Sequence, residues 1–322
     1  MNIRDLSQKA KQIKNNIENV ILGKSKEIDL VLAALLTAGH VLIDDVPGTG
    51  KTMLAKTLAL SLDCSFSRVQ FTPDLLPTDL TGTSIYNPKT TEFSFRKGSL
   101  FTNIFVADEI NRASPRTQSG LLECMEENQI SSDGTTYKLA PPFFVLATQN
   151  PVDTQGTYPL PEAQLDRFLI KLFLGYPKKQ ERLQLLSQYD SESYAKEIKP
   201  VCSVVELLDM QQTVKKVFVH KDLIEYIDII VEQTREHRDI LLGVSTRGSI
   251  ALMCMSKSYA AIQGRDYVIP DDIQLLVPYV LAHRIILPGS IGKKNDLAYE
   301  ILKDILTQTQ VPMEDFSEYM EQ

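Results

Sequence analysis

Val41-Leu42-Ile43-Asp44-Asp45-Val46-Pro47-Gly48-Thr49-Gly50-Lys51-Thr52 carries an apolar run into a glycine-rich turn that ends in Gly-Lys-Thr, and the apolar stretch Met53 to Leu60 follows with helical character. The order is strand, phosphate-binding loop, helix. Backbone N–H groups of such a loop converge on an anion, and the helix N-terminus adds partial positive charge. In this pattern Val46, Pro47, Gly48, Thr49 and Gly50 form the cradle, Lys51 reaches the β- and γ-phosphates, and Thr52 offers a hydroxyl to magnesium. The spacing predicts a nucleoside triphosphate site. One position departs from it: Asp45 stands where the first Gly of the usual Gly, four residues, Gly-Lys-Ser/Thr pattern would be. Gly meets demanding backbone angles at least as easily as Asp, so Asp45→Gly is expected to preserve nucleotide binding.

A chain of 322 residues exceeds the usual single core, which predicts two domains. The net charge of −7 gives no global attraction for nucleic acid or membrane surfaces. The four cysteines, Cys64, Cys124, Cys202 and Cys254, lie far apart with no CxxC pair, which supports neither a zinc site nor a disulfide framework and fits reduced thiols in the cytoplasm. Met1 to Val20 is polar and charged, without the apolar centre of a signal segment. The longest apolar stretch, Val31 to Ile43, is interrupted by Thr37, Gly39 and His40 and is too short for a bilayer, so no membrane insertion is expected.

Further strands are predicted at 65–71, 103–107, 143–148 and 169–174, with helical segments at 28–38, 51–63, 115–128 and 161–167. Strands alternating with helices predict an α/β fold with a parallel sheet, whose ligands bind beyond the carboxyl ends of the strands. Segments 84–96 and 129–139 read as β-hairpins, the second around Asp133-Gly134; either is a surface connection or a functional insert. From Lys178 the pattern is largely helical, at 178–189, 203–214, 220–235, 246–263, 270–284 and 296–309, with a polar linker or loop from Tyr189 to Pro200. The division predicted is 1–176 for the nucleotide-binding core and 177–322 for a mainly α-helical second domain.

Ile104-Phe105-Val106-Ala107-Asp108-Glu109 is an apolar strand ending in two acids. Asp108 suits magnesium binding, and Glu109 the activation of water as general base. Asn150 closes the next predicted strand with an amide able to orient water and touch the γ-phosphate. Arg167, in Leu165-Asp166-Arg167-Phe168, can stabilise a transferred phosphoryl group, and Arg247, in Ser245-Thr246-Arg247, could fold onto nucleotide bound by the first domain. Each also has a plain surface reading: an acidic pair at a strand end, a turn Asn before Pro, two solvated arginines.

Taken together these residues resemble an AAA+ ATPase of the MoxR family, over nearly the whole chain. The resemblance is carried by Val46 to Thr52, Gln70-Phe71-Thr72-Pro73-Asp74-Leu75-Leu76-Pro77, Ala107-Asp108-Glu109-Ile110-Asn111-Arg112-Ala113, Thr117-Gln118-Ser119, Glu123, Met125-Glu126-Glu127, Ala147-Thr148-Gln149-Asn150-Pro151 and the run Gln155 to Phe168. It implies a P-loop AAA+ core followed by an α-helical lid. Lys51 and Thr52 match the Walker A pair, Asp108 and Glu109 Walker B, Asn150 sensor 1, Arg167 the arginine finger and Arg247 sensor 2. Gly23 lies where this class lines the adenine pocket, and the two hairpins match inserts that can face a ring pore.

The resemblance further implies an ATPase using ATP and Mg2+, assembled as a homo-oligomer, expected to be a hexameric ring. It would act chaperone-like on client proteins, with von Willebrand factor A domain proteins as a partner class. Two alternatives stay open: a nucleic-acid-translocating AAA+ motor, against which the acidic balance weighs, and a nucleotide-dependent assembly switch with little turnover.

Overall fold

The computed structural model describes residues 1–46, 48–89, 91–132, 134–150, 156–189, 198–288 and 294–312. Pro47, Thr90, Asp133, the stretch 151–155 and most of the predicted linker lie outside the described residues.

The strands are β1 (Val41–Asp44), β2 (Phe66–Gln70), β3 (Gly82–Asn87), β4 (Glu92–Lys97), β5 (Ile104–Asp108), β6 (Gln129–Ser132), β7 (Thr135–Lys138), β8 (Phe144–Gln149) and β9 (Ile170–Leu172). Five of them form one parallel sheet in the order β2-β5-β8-β1-β9. Strands covered on both faces read as unbroken apolar runs, and β1 and β5 are buried throughout. The edge strand β2 alternates instead, so Arg68 and Gln70 share its exposed face. Its register sets Gln70 beside Asp108, and that of β1 sets Ile43 beside Thr148. The predicted strands all appear, and so do the helices α2 (Ser25–Leu36), α3 (Lys51–Ser61) and α5 (Pro115–Glu127). The helix expected at 161–167 contracts to α6 (Glu162–Leu165).

Both hairpins form. A short helix, α4 (Pro77–Thr81), leads into the antiparallel pair β3–β4, and β6 pairs with β7. They are joined to each other: Phe95 of β4 stacks on Tyr137 of β7 with ring centroids 4.0 Å apart and planes 10° from parallel, and Phe101 meets both rings edge-on. Such ring contacts add to simple area burial. Phe93 is 74% exposed and leans on Tyr86.

The helices after β9 are α7 (Lys179–Tyr189), α8 (Val204–Lys215), α9 (Lys221–Glu236), α10 (Thr246–Ile262), α11 (Pro270–Leu281) and α12 (Lys294–Gln308). The last turn predicted for α11 is a 3-10 turn, Ala282–Arg284. One helix has no counterpart in the sequence reading. α1 (Ile3–Glu18) buries Leu6, Ala10, Ile13 and Ile17, spaced at i, i+4, i+7 and i+11, while its charges face outward. It packs on α2 and α3 of the core and on α8 and α10 of the lid. Ser7 Oγ donates to Ile262 O at 2.8 Å, and Lys9 Nζ pairs with Glu206 at 2.9 Å. One apolar cluster therefore runs from α1 and α2 through the sheet into the lid helices. We keep 1–176 and 177–322 as a proposal about chain topology, with an apolar core continuous across that point. No helix among the described residues is long and apolar enough to cross a membrane.

His40 shows how tightly the sheet and α5 are joined. Its ring is buried; Nε2 donates to Met125 O at 3.0 Å, and Val145 N–H donates to Nδ1 at 3.1 Å, which defines a neutral tautomer. Burial lowers its pKa to about 4 from 6.5. The unfolded chain takes up this proton from pH 6.5 downward and the folded chain only near 4, so folding stability falls as pH falls through that window. The loss is on the order of 3 kcal/mol. Denaturant unfolding measured between pH 7 and about 4 is expected to show this slope, and His40→Gln to flatten it; an unchanged slope in the variant would remove His40 as its source.

Candidate active site

The carboxyl ends of β1, β2, β5 and β8 open onto a cavity of about 590 Å³, a size suited to a nucleotide. Gly48 to Thr52, Arg68, Gln70, Asp108, Glu109 and Thr148 line its polar side. Gly48 and Gly50 have φ of 82° and 88°, and a Cβ on either would meet nothing within 4 Å, so conformation rather than space requires glycine there. Gly50 caps α3 and no side chain satisfies the first-turn N–H groups, which leaves them for an anion. Lys51 Nζ donates to Asp45 O at 2.7 Å. Burial lowers the Lys51 pKa, and the charges of Asp45, Asp108, Glu109 and Asp44 work against that shift. Val46 N–H donates to Asp45 Oδ1, and Thr49 Oγ1 to Val46 O at 3.3 Å. Pro47 lies outside the described residues.

The Asp45 side chain has partners that a backbone comparison with Gly leaves out. Its φ is not positive, so its backbone makes no demand that only glycine meets. Its buried carboxylate accepts N–H groups from Val46 at 2.7 Å, Leu174 at 3.0 Å and Gly175 at 2.6 Å. It hooks the phosphate loop to the segment leading from β9 into α7. Lys24 donates to Leu174 O in the same place, and Lys171 pairs with Asp44 at 2.6 Å.

The two acids at the end of β5 are held differently. Asp108 Oδ2 accepts from Thr52 Oγ1 at 3.0 Å and from Arg68 Nε at 2.7 Å, and Oδ1 accepts from Thr148 Oγ1 at 2.9 Å. Glu109 sits in the left-handed region with φ 56°, a strained conformation for a side chain of this kind. Its N–H donates to Thr148 Oγ1 at 2.9 Å, and its carboxylate accepts from Gln70 Nε2 at 2.8 Å and Arg112 Nη1 at 3.2 Å. Among the described residues no group of three or more His, Cys, Asp or Glu side chains could hold a metal alone. The hydroxyl of Thr52 and the carboxylate of Asp108 instead supply two hard oxygens beside an anion cradle. Mg2+ is held in that way when phosphates complete its shell.

Gly23 turns the chain with φ 71° and is covered by the Glu181 side chain; its neighbours Ile21, Leu22 and Lys24, with Pro177 and Leu185, line the far side of the cavity. Asn150 directly follows β8 at the carboxyl edge of the sheet, whereas Thr148 is the residue of that segment that lines the cavity.

Arg167 and Arg247 are elsewhere. They share Glu126: Arg167 Nη2 is 3.0 Å from Oε2 and Arg247 Nη2 is 2.9 Å from Oε1. Arg167 Nη1 also donates to Leu122 O at 2.7 Å, and Arg247 Nη1 lies 3.7 Å from Asp166. Asp166 is itself anchored by the buried Arg284 at 2.7 Å. These groups line a separate cleft of about 300 Å³ that shares no residue with the first cavity. Arg247 thus lies outside the first cavity, where α10 sets it beside Arg167.

The residues absent from the sequence reading as site groups are Arg68, Gln70 and Thr148. Gln70 and Thr148 stood inside segments that carried the family resemblance, and the alternation of β2 was the one signal that Arg68 faces the same way as Gln70.

Comparison with known proteins agrees with this geometry. The family model described as "ATPase family associated with various cellular activities (AAA)" matches residues 40–170, and an AAA lid domain model matches residues 232–305. The chain is 51% identical to YeaC of Bacillus subtilis over 93% of each chain. It is 40% identical to Chaperone MoxR1 of Mycobacterium tuberculosis over 91% of this chain and 79% of that one. The crystal structure of a candidate ATPase from Cytophaga hutchinsonii superposes with a TM-score of 0.88 at 38% identity, covering 96% of each chain. Sequence motifs, sheet order and relatives converge: the chain belongs to the MoxR family of AAA+ ATPases.

Proposed function

We propose that the chain binds ATP with magnesium at the phosphate loop, hydrolyses it within a ring of like subunits, and uses the cycle to remodel or activate protein complexes. The observation that carries this reading is the convergence of Lys51, Thr52, Asp108 and Glu109 on one cavity. In the cycle Lys51 leaves Asp45 O for the β- and γ-phosphates, and Thr52 and Asp108 hold the cation. Bound magnesium neutralises charge on the phosphate oxygens. Glu109, released from Gln70 and Arg112, takes the proton of the attacking water, with Asn150 orienting that water. Gly23 and the residues around it meet the adenine.

The arginine cleft supports action between subunits. Glu126 spaces Arg167 and Arg247 side by side, one on each carboxylate oxygen, outside their own chain's nucleotide cavity. A neighbouring subunit's γ-phosphate is the anion that completes this pair, and a hexameric ring provides that contact at every interface. Protein clients fit the name of the mycobacterial relative, and von Willebrand factor A domain proteins are the partner class the family suggests. The exposed Phe93 and Tyr86 on the first hairpin offer apolar surface for a client chain.

Three outcomes are expected. In titrations with labelled ATP, Lys51→Ala loses useful affinity, while Glu109→Gln binds as wild type and loses turnover; equal affinity of Lys51→Ala and wild type would sink the loop assignment. Arg167→Ala binds ATP nearly normally and loses about 10³–10⁵ in hydrolysis rate. Mixing it with Lys51→Ala subunits restores part of the rate, because one variant lends its finger to the other's pocket; no recovery in verified mixed rings would place Arg167 in its own site. Finally, Asp45→Gly leaves N–H groups of Val46, Leu174 and Gly175 without their acceptor. It costs about 2 kcal/mol of stability or more and weakens ATP binding, with Asp45→Asn intermediate. Unfolding and binding curves indistinguishable from wild type would return Asp45 to a passive role.

A further inference from the structure

Asp108 is buried, and a buried carboxylate requires a cation or donors. In this chain the cation is Arg68. Its Nε and Nη2 both stand 2.7 Å from Asp108 Oδ2, the oxygen that also accepts from Thr52. The carboxylate oxygen suited to magnesium is thus already engaged by a positive group of the protein and by the Thr52 hydroxyl. The Arg68 side chain is 48% exposed and reaches across from the edge strand, so its head can withdraw into the cavity without unpacking the core. Nη2 also donates to Gln70 Oε1 at 3.4 Å, and Gln70 in turn holds Glu109. Of the other cations lining the cavity, Lys51 donates to Asp45 O and Lys24 to Leu174 O.

We propose that Arg68 is the resident counter-cation of Asp108, occupying the position of the divalent cation while nucleotide is absent and giving up Asp108 when cation and nucleotide arrive together. The proposal rests on the reading of Asp108 as a magnesium ligand. Two cations cannot share one carboxylate oxygen without strong repulsion in a partly desolvated site. Arginine does not lose its proton, so relief comes only by movement. A free divalent cation must therefore displace Arg68 and leave its guanidinium without a counter-anion. A cation bound to nucleotide brings phosphates, which give the displaced guanidinium a new partner. The withdrawal of Arg68 also removes its contact with Gln70, which couples occupancy at Asp108 to the hold on Glu109.

Mn2+ is the probe, titrated into nucleotide-free protein with free Mn2+ read by electron paramagnetic resonance. Wild type is expected to bind it weakly, and Arg68→Gln roughly tenfold more tightly or better, since the competing charge is gone. Arg68→Lys keeps a positive charge and is expected to exclude Mn2+ as wild type does. Equal Mn2+ affinity for wild type and Arg68→Gln would overturn the proposal. Asp108→Asn, titrated with Mn2+ in the presence of ATP, separates the two readings. If it weakens Mn2+ uptake while Arg68→Gln matches wild type, Asp108 remains the ligand and only the role of Arg68 falls. If it leaves uptake unchanged, the assignment of Asp108 falls, and this proposal with it.

Discussion

The carboxylate of Asp108 is withdrawn from water at the end of a fully covered strand, and a charge so placed costs several kcal/mol unless something meets it. Much of the site is arranged to meet it. Thr52 comes from the first turn of α3, Thr148 from β8 and Arg68 from β2. The same device recurs nearby: Asp45 is met by three backbone N–H groups, Asp44 by Lys171, and Glu126 by two arginines. Each of these charges is thus met by partners within the chain itself.

The separation of the two clefts follows from the topology. Strand order β2-β5-β8-β1-β9 gathers the loop after β1 and the acids after β5 at one carboxyl edge. Arg167 precedes β9, and Arg247 begins α10. Arg284, buried after α11, clamps Asp166 through both its side chain and its carbonyl, which fixes the position of the neighbouring Arg167. The chain thus places its phosphate-binding loop and its arginine pair in two separate clefts.

Local features were legible in the sequence and register-dependent ones were not. The phosphate loop, the strand ending in Asp108-Glu109 and both hairpins depend on consecutive residues, so their patterns survive reading along the chain. Arg68, Gln70 and Thr148 join the site only because β5 lies between β2 and β8, and no local pattern records which strands are neighbours. A motif compares backbones at position 45, whereas the Asp45 side chain spans to residues 174 and 175. The place of Arg247 beside Arg167 depends on how the lid helices are oriented, which the motif Ser245-Thr246-Arg247 does not record. α1 carries a readable 3.6-residue period at Leu6, Ala10, Ile13 and Ile17 within a mostly polar composition.

The stack of Phe95 on Tyr137 has a mechanical meaning. The two hairpins are separate insertions in sequence, but face-to-face rings with Phe101 at their edges make them one beam. One end of that beam is the exposed Phe93, two residues from Phe95 along β4. The other end is β7, which leads through a short connection into β8 and so to Thr148, the hydroxyl that holds Asp108 and the backbone of Glu109. The outer apolar tip and the two acids are thus joined by one continuous path of packed rings and neighbouring strands.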